Sequence, residues 1–176
     1  MRNDNPEILS FVFNDDEVFP NNELPLIVIK QAIIKDKKKL ATELLELFEF
    51  NDWKNCWING IYDYHHYHSN THEVLGITEG KAKVLFGGPK GEEIKLQAGD
   101  VVVVPAGVAH KLITASKDFK CAGGYPEGAD YDMNYGKEGE RPAADERILG
   151  LEIPQTDPLF GYYGPLFDLW KQPEQV

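Results

Sequence analysis

The chain has 176 residues, of which 42% are hydrophobic and 27% charged, a composition typical of a globular protein with one hydrophobic core. Its 29 acidic and 18 basic residues give a formal net charge of -11 at pH 7. This charge would repel nucleic-acid phosphates and anionic membrane surfaces, so we exclude both as expected partners and expect a single domain over residues 1–176.

Residues 1–55 predict two strands followed by one helix. The apolar stretches 8–13 and 24–34 flank a turn-rich segment, a pattern typical of strand, loop and strand. Asp36, a residue type that caps helices well, precedes apolar residues at helical spacing, which predicts an amphipathic helix over residues 37–50. The apolar face of this helix comprises Leu40, Leu44, Leu47 and Phe48.

Residues 56–124 predict a series of short strands. Apolar runs of strand length alternate there with turn signals rich in Gly and Pro, and no helical pattern separates them. Parallel strands would need helices between them, so the pattern indicates an antiparallel sandwich or barrel. The seven strand-sized segments are CWINGIYDYHHYH, EVLGIT, KAKVLF, EEIKLQ, VVVV, KLIT and FKCAGG.

Residues 125–176 predict a polar loop, a strand and a docking tail. Residues 125–147 are too long for a hairpin turn and form either a lid or a surface excursion. A strand is expected over residues 148–153. The tail DPLFGYYGPLFDLWK is too rich in aromatic residues to stay in water, so we expect it to dock on the barrel or on a second subunit.

The expected state of the protein is a cytoplasmic homodimer. The apolar stretch 24–34 and the aromatic tail exceed what one small barrel needs to cover its core, which favours self-association. The N-terminus lacks the basic segment and long apolar run of an export signal. Cys56 and Cys121 lack the paired spacing of a zinc ribbon or a redox motif, so we interpret them as buried thiols in a reducing cytoplasm.

Histidines supply the main functional signal. Four of the five lie between residues 65 and 72, and the fifth, His110, follows the VVVV strand. Side chains two residues apart on a strand share a face, so His66 and His68 converge while His65 points away. Glu73 falls on the inward face of the next strand. Three imidazoles and one carboxylate predict a site for one divalent transition metal ion, iron, manganese, nickel or zinc.

Three neighbouring residues are candidates for the substrate pocket. Tyr62 and Tyr64 share the inward parity of His66, so they either orient a substrate or fill the barrel, and filling is the favoured role. His72 falls on the face opposite to Glu73. Because strand parity fails at bulges, contact between His72 and the metal or the substrate stays an open alternative.

The spacing of these residues resembles two motifs of the cupin superfamily. Gly60, His66, His68, Glu73 and Gly80 match the first motif, G-x5-H-x-H-x(3,4)-E-x6-G, without a gap. The second motif, G-x5-P-x-G-x2-H-x3-N, is matched by Gly99, Pro105, Gly107 and His110, with Thr114 in place of the final Asn.

The resemblance implies both a fold and a ligand set. It implies an all-β fold, a double-stranded β-helix or jelly-roll barrel with its core over residues 56–124, one N-terminal amphipathic helix and an aromatic C-terminal tail. It also implies that His66, His68, Glu73 and His110 are metal ligands. The Asn that Thr114 replaces does not bind metal in the family. The chain is most similar to uncharacterised single-domain bacterial cupins.

Three classes of function are compatible with this site. The leading hypothesis is a metal-dependent enzyme acting on a small chelating organic anion, and resemblance to cupin dioxygenases, including acireductone dioxygenases, implies a dioxygenase-type oxidoreductase. The alternatives are a metal-dependent isomerase or decarboxylase, and a non-catalytic cupin that binds a small molecule. An additional acid or base within reach of the metal would discriminate between them. A metal-free epimerase is disfavoured, because it has no use for the complete ligand set.

Overall fold

The computed structural model describes residues 1–34 and 38–171. Strands predominate over helices in this described part, which confirms the predicted all-β class. The helices are α1 (Leu40–Phe50), α2 (Ala143–Leu149) and α3 (Pro165–Leu169). The strands are β1 (Glu7–Phe13), β2 (Asn22–Lys30), β3 (Trp53–Asn59), β4 (Glu73–Glu79), β5 (Lys81–Phe86), β6 (Glu92–Gln97), β7 (Val101–Val104), β8 (His110–Ala115) and β9 (Lys120–Pro126).

The strands form two antiparallel sheets that enclose one core. One sheet has six strands in the order β1-β2-β7-β4-β9-β3, and the other has three strands in the order β6-β5-β8. Leu75 and Val102 from the larger sheet pack with Val84 and Phe86 from the smaller sheet in one buried cluster. The predicted jelly-roll barrel is therefore confirmed.

The centre of the six-stranded sheet is buried on both faces, which explains the uninterrupted apolar run of β7. Val102 points into the barrel core, whereas its neighbour Val103 belongs to a second apolar cluster on the outer face. Leu44 and Phe48 of α1 and Trp170 of the tail cover that outer face. A strand with two covered faces requires apolar side chains at successive positions instead of alternate ones.

Helix α1 begins later than the sequence pattern predicted. Its first residue is Leu40, and its N-cap residue, Lys39, makes no side-chain capping hydrogen bond. The predicted cap, Asp36, lies outside the described residues. The predicted end at Phe50 is confirmed. Apolar periodicity thus located the packed face of the helix, but it did not fix the first turn.

Two further helices stand where the sequence predicted other structure. Helix α3 lies in the tail, and α2 lies largely in the predicted polar loop and ends at Leu149, so the strand predicted over residues 148–153 is wrong. The segment AADERIL of α2 consists largely of strong helix formers, and Arg141 bonds Asp145 one turn later. None of the described helices is long and apolar enough to cross a membrane.

The first barrel strand is shorter than predicted. β3 ends at Asn59 and the chain continues irregularly, so the single strand predicted over residues 56–68 is wrong. Beyond β3, His66 forms an isolated antiparallel bridge with His110. A short extended stretch therefore remains at the histidines, and the two-residue parity applies there.

Both segments that suggested a dimer pack against the barrel of their own chain, although Tyr162 and Tyr163 of the tail stay exposed. The stretch 24–34 supplies β2, in which residues 26–29 are fully buried between the barrel core and the outer cluster. In the tail, Trp170 is buried, and its Nε1 donates a hydrogen bond to the Pro25 carbonyl at 2.8 Å. The tail thus docks on its own barrel, so self-association would need another surface.

Candidate metal centre

Three segments bring the four predicted ligands together inside the barrel. His66 and His68 lie in the extended stretch after β3, Glu73 begins β4 and His110 begins β8. The His66 amide donates to the His110 carbonyl at 3.2 Å, and the His110 amide donates to the His66 carbonyl at 2.9 Å. All four side chains are buried.

The four side chains face one another across short distances. Nε2 of His68 lies 3.4 Å from Oε2 of Glu73, and Nε2 of His110 lies 3.3 Å from Oε1 of Glu73. One ring nitrogen from each of His66, His68 and His110 lies within 4.8 Å of the other two. Three imidazoles and a carboxylate so arranged are a ligand set typical of divalent transition metals.

A hydrogen bond on the far side of each imidazole fixes which nitrogen faces the cluster. A carbonyl oxygen only accepts hydrogen bonds, so each Nδ1 must carry the proton of the neutral ring, and each Nε2 keeps a lone pair. The Nδ1 atoms of His66, His68 and His110 lie 3.0, 2.6 and 3.1 Å from the backbone carbonyls of Tyr64, Asp132 and Val108.

The donor set fits a cation. With neutral imidazoles, three Nε2 lone pairs and a carboxylate meet without a hydrogen atom between them. Oε1 of Glu73 is buried and has no hydrogen-bond partner in the described part of the chain. Buried acceptors left without a donor are costly, and a metal ion satisfies them together. His66, His68 and His110 could therefore hold a metal, with the Glu73 carboxylate beside them.

Burial and charge set the protonation of this cluster. Burial and the neighbouring His110 lower the pKa of His66 to about 3, so its imidazole is neutral at pH 7. Burial favours the neutral form of Glu73, but the adjacent rings of His68 and His110 hold its pKa well below the usual range. Burial also opposes protonation of His68, yet the Glu73 charge raises the pKa of His68. The cluster thus contains one anion, the Glu73 carboxylate, which attracts either a proton or a metal ion.

Two residues that sequence reasoning missed hold Glu73 in place. The Tyr125 hydroxyl donates to Oε2 of Glu73 at 2.8 Å, and Nε1 of Trp57 donates to the Tyr125 oxygen at 2.8 Å. Burial and then the Glu73 charge raise the pKa of Tyr125, so the phenol keeps its proton. Gly123 is the sequence signal that could have indicated the position of Trp57. A Cβ at Gly123 would lie 2.3 Å from the Trp57 ring, so a glycine there leaves room for this side chain.

A cavity of about 440 Å³ adjoins the cluster. Fifteen described residues line it, including the four predicted ligands. Apart from those four, the described lining contains no Asp, Glu, Lys, Arg or His. The other lining residues are Asn55, Cys56, Trp57, Asn59, Gly60, Ile61, Tyr62, Leu75, Tyr125, Tyr131 and Met133.

Residues 130–135, here called the strap, form one wall of this cavity. Tyr131 and Met133 line the cavity, whereas Asp132 and Asn134 bond back to the segment that carries the histidines. The alternation follows from extended backbone, in which successive side chains point to opposite sides. The region predicted as a lid or a surface excursion thus contains both α2 and part of the cavity wall.

The strap also orients one predicted ligand. The Asp132 carboxylate accepts hydrogen bonds from the backbone amide of Ser69 at 2.7 Å and from the Ser69 hydroxyl. The Asp132 carbonyl faces Nδ1 of His68 at 2.6 Å. Asn134 and Tyr67 exchange backbone hydrogen bonds of 2.9 and 3.0 Å. The tautomer of His68 therefore depends on a segment that lies far away in the sequence.

Of the predicted substrate-pocket residues, the structure brings Tyr62 to the cavity and leaves Tyr64 outside its lining. Their rings stack with centroids 4.9 Å apart, and the two residues are 53% and 39% exposed. Neither fills the barrel, so the favoured role of filling is wrong. The reason is that the chain has left the sheet at Gly60, and the parity of a strand no longer applies to the two tyrosines.

His72 and His65 both point away from the cluster. The His72 ring is buried 4.8 Å from the ring of Trp170, and its Nδ1 accepts a hydrogen bond from the Ala106 amide at 2.9 Å. The structure thus places His72 against the tail and outside the described cavity lining. The His65 ring packs 5.3 Å from that of Phe19.

Comparison with known proteins gives one family and one extensive relative. The profile of a family described as "Cupin domain" matches residues 59–122. A protein of Bacillus subtilis (strain 168), "Uncharacterized protein YjlB", is 42% identical over 166 residues, which cover 93% of this chain and 97% of that protein.

Solved structures with a similar fold share little sequence with the chain. Acireductone dioxygenase from Bacillus anthracis, solved with a cadmium ion in its active centre, is 15% identical over 73% of this chain and 83% of its own, with a TM-score of 0.41. dTDP-4-dehydrorhamnose 3,5-epimerase from Elizabethkingia anophelis is 14% identical over 72% and 76%, with a TM-score of 0.42. Procruciferin of Brassica napus is 15% identical over 64% of this chain and 23% of its own, with a TM-score of 0.37. Similarity at this level carries no argument about activity.

Proposed function

The chain belongs to the cupin family, and from this premise we propose that it is a metal-dependent enzyme of the dioxygenase type acting on a small chelating organic anion. The proposed cofactor is one divalent transition metal ion per chain, iron, manganese, nickel or zinc. The proposed ligands are His66, His68, Glu73 and His110. The observation that carries the proposal is the set of three Nδ1 bonds to carbonyls, which leaves three Nε2 lone pairs beside an anionic carboxylate.

A bound metal ion would give this site a preference for anions. A bound divalent ion supplies Lewis-acid polarisation and a template for a chelating substrate. Glu73 neutralises one of its two charges, so the site keeps a local positive charge that favours a carboxylate or enolate. Tyr125 and Trp57 keep Glu73 oriented through their hydrogen bonds.

The titratable groups of the cavity favour oxygenation over isomerisation. Besides the proposed ligands, those in the described lining are the Cys56 thiol and three phenols. Burial raises the pKa of Cys56 to about 11, and the Tyr125 phenol also keeps its proton, so these two groups donate protons and do not accept them at pH 7. Proton-transfer isomerisation needs a general base that titrates near the working pH. In a dioxygenase reaction both oxygen atoms enter the substrate, which supplies the electrons, so no external reductant is needed.

The test is reconstitution of the purified protein with iron(II), manganese(II), nickel(II) or zinc(II), followed by oxygen uptake and product analysis. The substrate panel comprises enediols, 1,3-diketones, flavonols, 2-oxo acids and sugar phosphates. We expect oxygen uptake with at least one chelating anion. Turnover without oxygen uptake would assign the protein to isomerases or decarboxylases. Tight binding without product under every metal would refute an enzyme and leave a small-molecule-binding cupin.

We further propose one cytoplasmic domain over residues 1–176 that forms a homodimer. Cys56 and Cys121 are both free thiols, which is the state expected of cysteines in a reducing compartment. The edge strand β1 exposes Ile8, Leu9 and Val12 to solvent and has an unpaired side in the described structure. An apolar edge of this kind favours pairing with a second chain.

A further inference from the structure

We propose that the substrate has a flat, uncharged, apolar body attached to a single chelating anionic head, and that the cavity selects against phosphorylated compounds. The inference rests on the proposed function, because it assumes that the anionic head binds a metal at the histidine cluster. It names the class of molecule that the remainder of the cavity accepts.

A charge count of the cavity limits the substrate to one negative charge. Glu73 is the single carboxylate among the described lining residues, and none of them is Lys or Arg. With neutral histidines, a divalent ion leaves a net charge of +1, which a monoanionic head neutralises. A phosphate group would add negative charge that no described lining side chain can pair.

Aromatic side chains line the cavity beside the proposed ligands. Tyr131 stacks on Tyr125 with centroids 4.8 Å apart, and the Tyr131 ring meets the edge of His68 at 5.0 Å. Tyr62 meets the edge of His66 at 5.3 Å. Aromatic side chains thus flank two different proposed ligands. A conjugated or aromatic body would stack on these rings, which compact sugar or glycerol chains cannot do.

The polar groups that remain in the cavity are neutral. Asn55 and Asn59 contribute amide side chains, and the other described lining positions outside the cluster are aromatic, aliphatic, thiol, thioether or glycine. Amides recognise carbonyl or hydroxyl groups without requiring a charge on the ligand. A volume of about 440 Å³ lies at the lower end of the range usual for small-molecule sites and suits a body of one or two rings.

The strap makes this wall preformed. Asp132 and Asn134 are tied to the histidine segment by hydrogen bonds, and Tyr131 and Met133 lie between and beside these anchors. Because the wall is already ordered, ligand binding costs little further conformational entropy. We assign the selection of the substrate body to Tyr131 and Met133.

The test uses three 2-oxo acids that share one chelating head. Pyruvate carries no body, phenylpyruvate adds a phenyl ring and phosphonopyruvate adds a phosphonate. Each is titrated into the full chain loaded with cobalt(II), with visible absorption and tryptophan fluorescence as readouts. We expect phenylpyruvate to bind at least about tenfold tighter than pyruvate because its ring is buried, and phosphonopyruvate at least about tenfold weaker. Equal affinities, or phosphonopyruvate as the tightest ligand, would overturn the inference.

Two pairs of variants test the assigned residues. Met133→Lys introduces a cation into the wall and should raise the affinity for phosphonopyruvate about tenfold, whereas Met133→Leu, which keeps the wall apolar, should preserve the order of the three affinities. Tyr131→Ala should remove most of the advantage of phenylpyruvate over pyruvate. Tyr162→Ala, at a position 89% exposed and outside the described cavity lining, should keep that advantage. Tyr131 is itself half-exposed, so its variant remains informative if Met133→Lys does not fold.

Failure of this inference and failure of the proposed function give different results. If the chain binds no cobalt(II), the proposed function fails. In that case the preference of the cavity for an apolar body is still measured on the metal-free protein. The measurement compares the quenching of tryptophan fluorescence by phenylpyruvate with the quenching by pyruvate. Metal binding with the ligand order reversed would refute the inference alone. Metal binding with the expected order but no turnover of any substrate would refute the enzyme and keep the inference.

Discussion

Backbone carbonyls on the far side of three imidazoles determine how the site presents its nitrogen atoms. Because Tyr64, Asp132 and Val108 accept from the Nδ1 atoms, each neutral ring keeps an Nε2 lone pair, and the Nε2 atoms of His68 and His110 face Glu73. The Glu73 carboxylate, whose pKa is lowered, adds a further acceptor beside these nitrogen atoms. At the scale of single residues, the chemistry of the site therefore follows from hydrogen bonds outside the cluster.

Removal of one imidazole tests the ligand assignment. We expect His68→Ala and His110→Ala each to lower metal content from about one ion per chain to nearly none, because each variant opens the ligand shell. Elemental analysis after dialysis measures this. His65→Ala is the matched control, since His65 lies in the same segment but packs on Phe19. Full metal content in both ligand variants would contradict the assignment.

Removal of one hydroxyl tests the support of Glu73. Tyr125→Phe deletes the 2.8 Å hydrogen bond to Oε2 and leaves the ring in place. We expect the metal affinity to fall about tenfold, the lower end of the effect usual for groups that orient a metal ligand. Isothermal titration with zinc(II) measures the affinity. Tyr64→Phe, which alters a phenol outside the described cavity lining, should bind zinc(II) like the wild type.

At the scale of elements, the strap has the most connections to the site. It pairs with the histidine segment and supplies Tyr131 and Met133 to the cavity. Burial favours the neutral form of Asp132, but hydrogen bonds from Ser69 and the charge of Arg147 hold the pKa of this carboxyl below its ordinary value of 3.8. The negative form of Asp132 thus stabilises the folded chain.

The sign of this shift gives a pH-dependent prediction. A carboxyl whose pKa is lower in the folded chain stabilises the fold fully at pH values above its ordinary pKa of 3.8. This stability is lost as the pH falls through the pKa of the folded state. Asp132→Asn should therefore lower the free energy of unfolding by about 1–2 kcal/mol at pH 7 and by less near pH 3. Urea unfolding at both pH values measures the difference.

A neighbouring carboxylate provides the control for this measurement. Asp130 contributes its backbone carbonyl to Asn70, and no hydrogen bond of its side chain is seen in the described part of the chain. Asp130→Asn should leave the free energy of unfolding unchanged within about 0.5 kcal/mol. An equal loss of stability at both pH values for Asp132→Asn would contradict an electrostatic role and favour a purely steric one.

At the scale of the whole molecule, the outer face of the six-stranded sheet has no free apolar surface left for a partner along α1 and the tail. Leu44, Phe48, Leu166 and Trp170 cover it within the same chain. The edge strand β1 combines an unpaired backbone edge with exposed apolar side chains, among them Val12 at 61%. Any dimer is therefore expected to form through that edge.

Charge on the edge strand tests this surface. We expect the wild type to sediment as a dimer at tens of micromolar, roughly the range for a stable homodimer. Val12→Lys should shift it toward the monomer, because a charge blocks edge-to-edge pairing. Phe50→Lys, which changes an 86% exposed residue at the end of α1, should leave the dimer intact. A wild type that sediments only as a monomer would refute the dimer.

The sequence by itself determined the barrel strands from β4 to β9 and the residues of the cluster. Both rest on local information, because alternation reveals which side chains face the core and the motif spacing places His66, His68, Glu73 and His110 in register. Apolar periodicity also located α1. The strand predicted over residues 148–153 was wrong, because local signals competed there. Helix propensity and the contact between Arg141 and Asp145 favoured α2.

Only the tertiary structure decided how the cluster is held and what surrounds it. The partner of His68 Nδ1 is Asp132, 64 residues away, and the partner of Glu73 is Tyr125, 52 residues away. Strand parity also could not place Tyr62 and Tyr64, because the chain leaves the sheet before them. Contacts of this range depend on how the sheets close and where the strap and the tail dock, and no period or spacing along the chain encodes them.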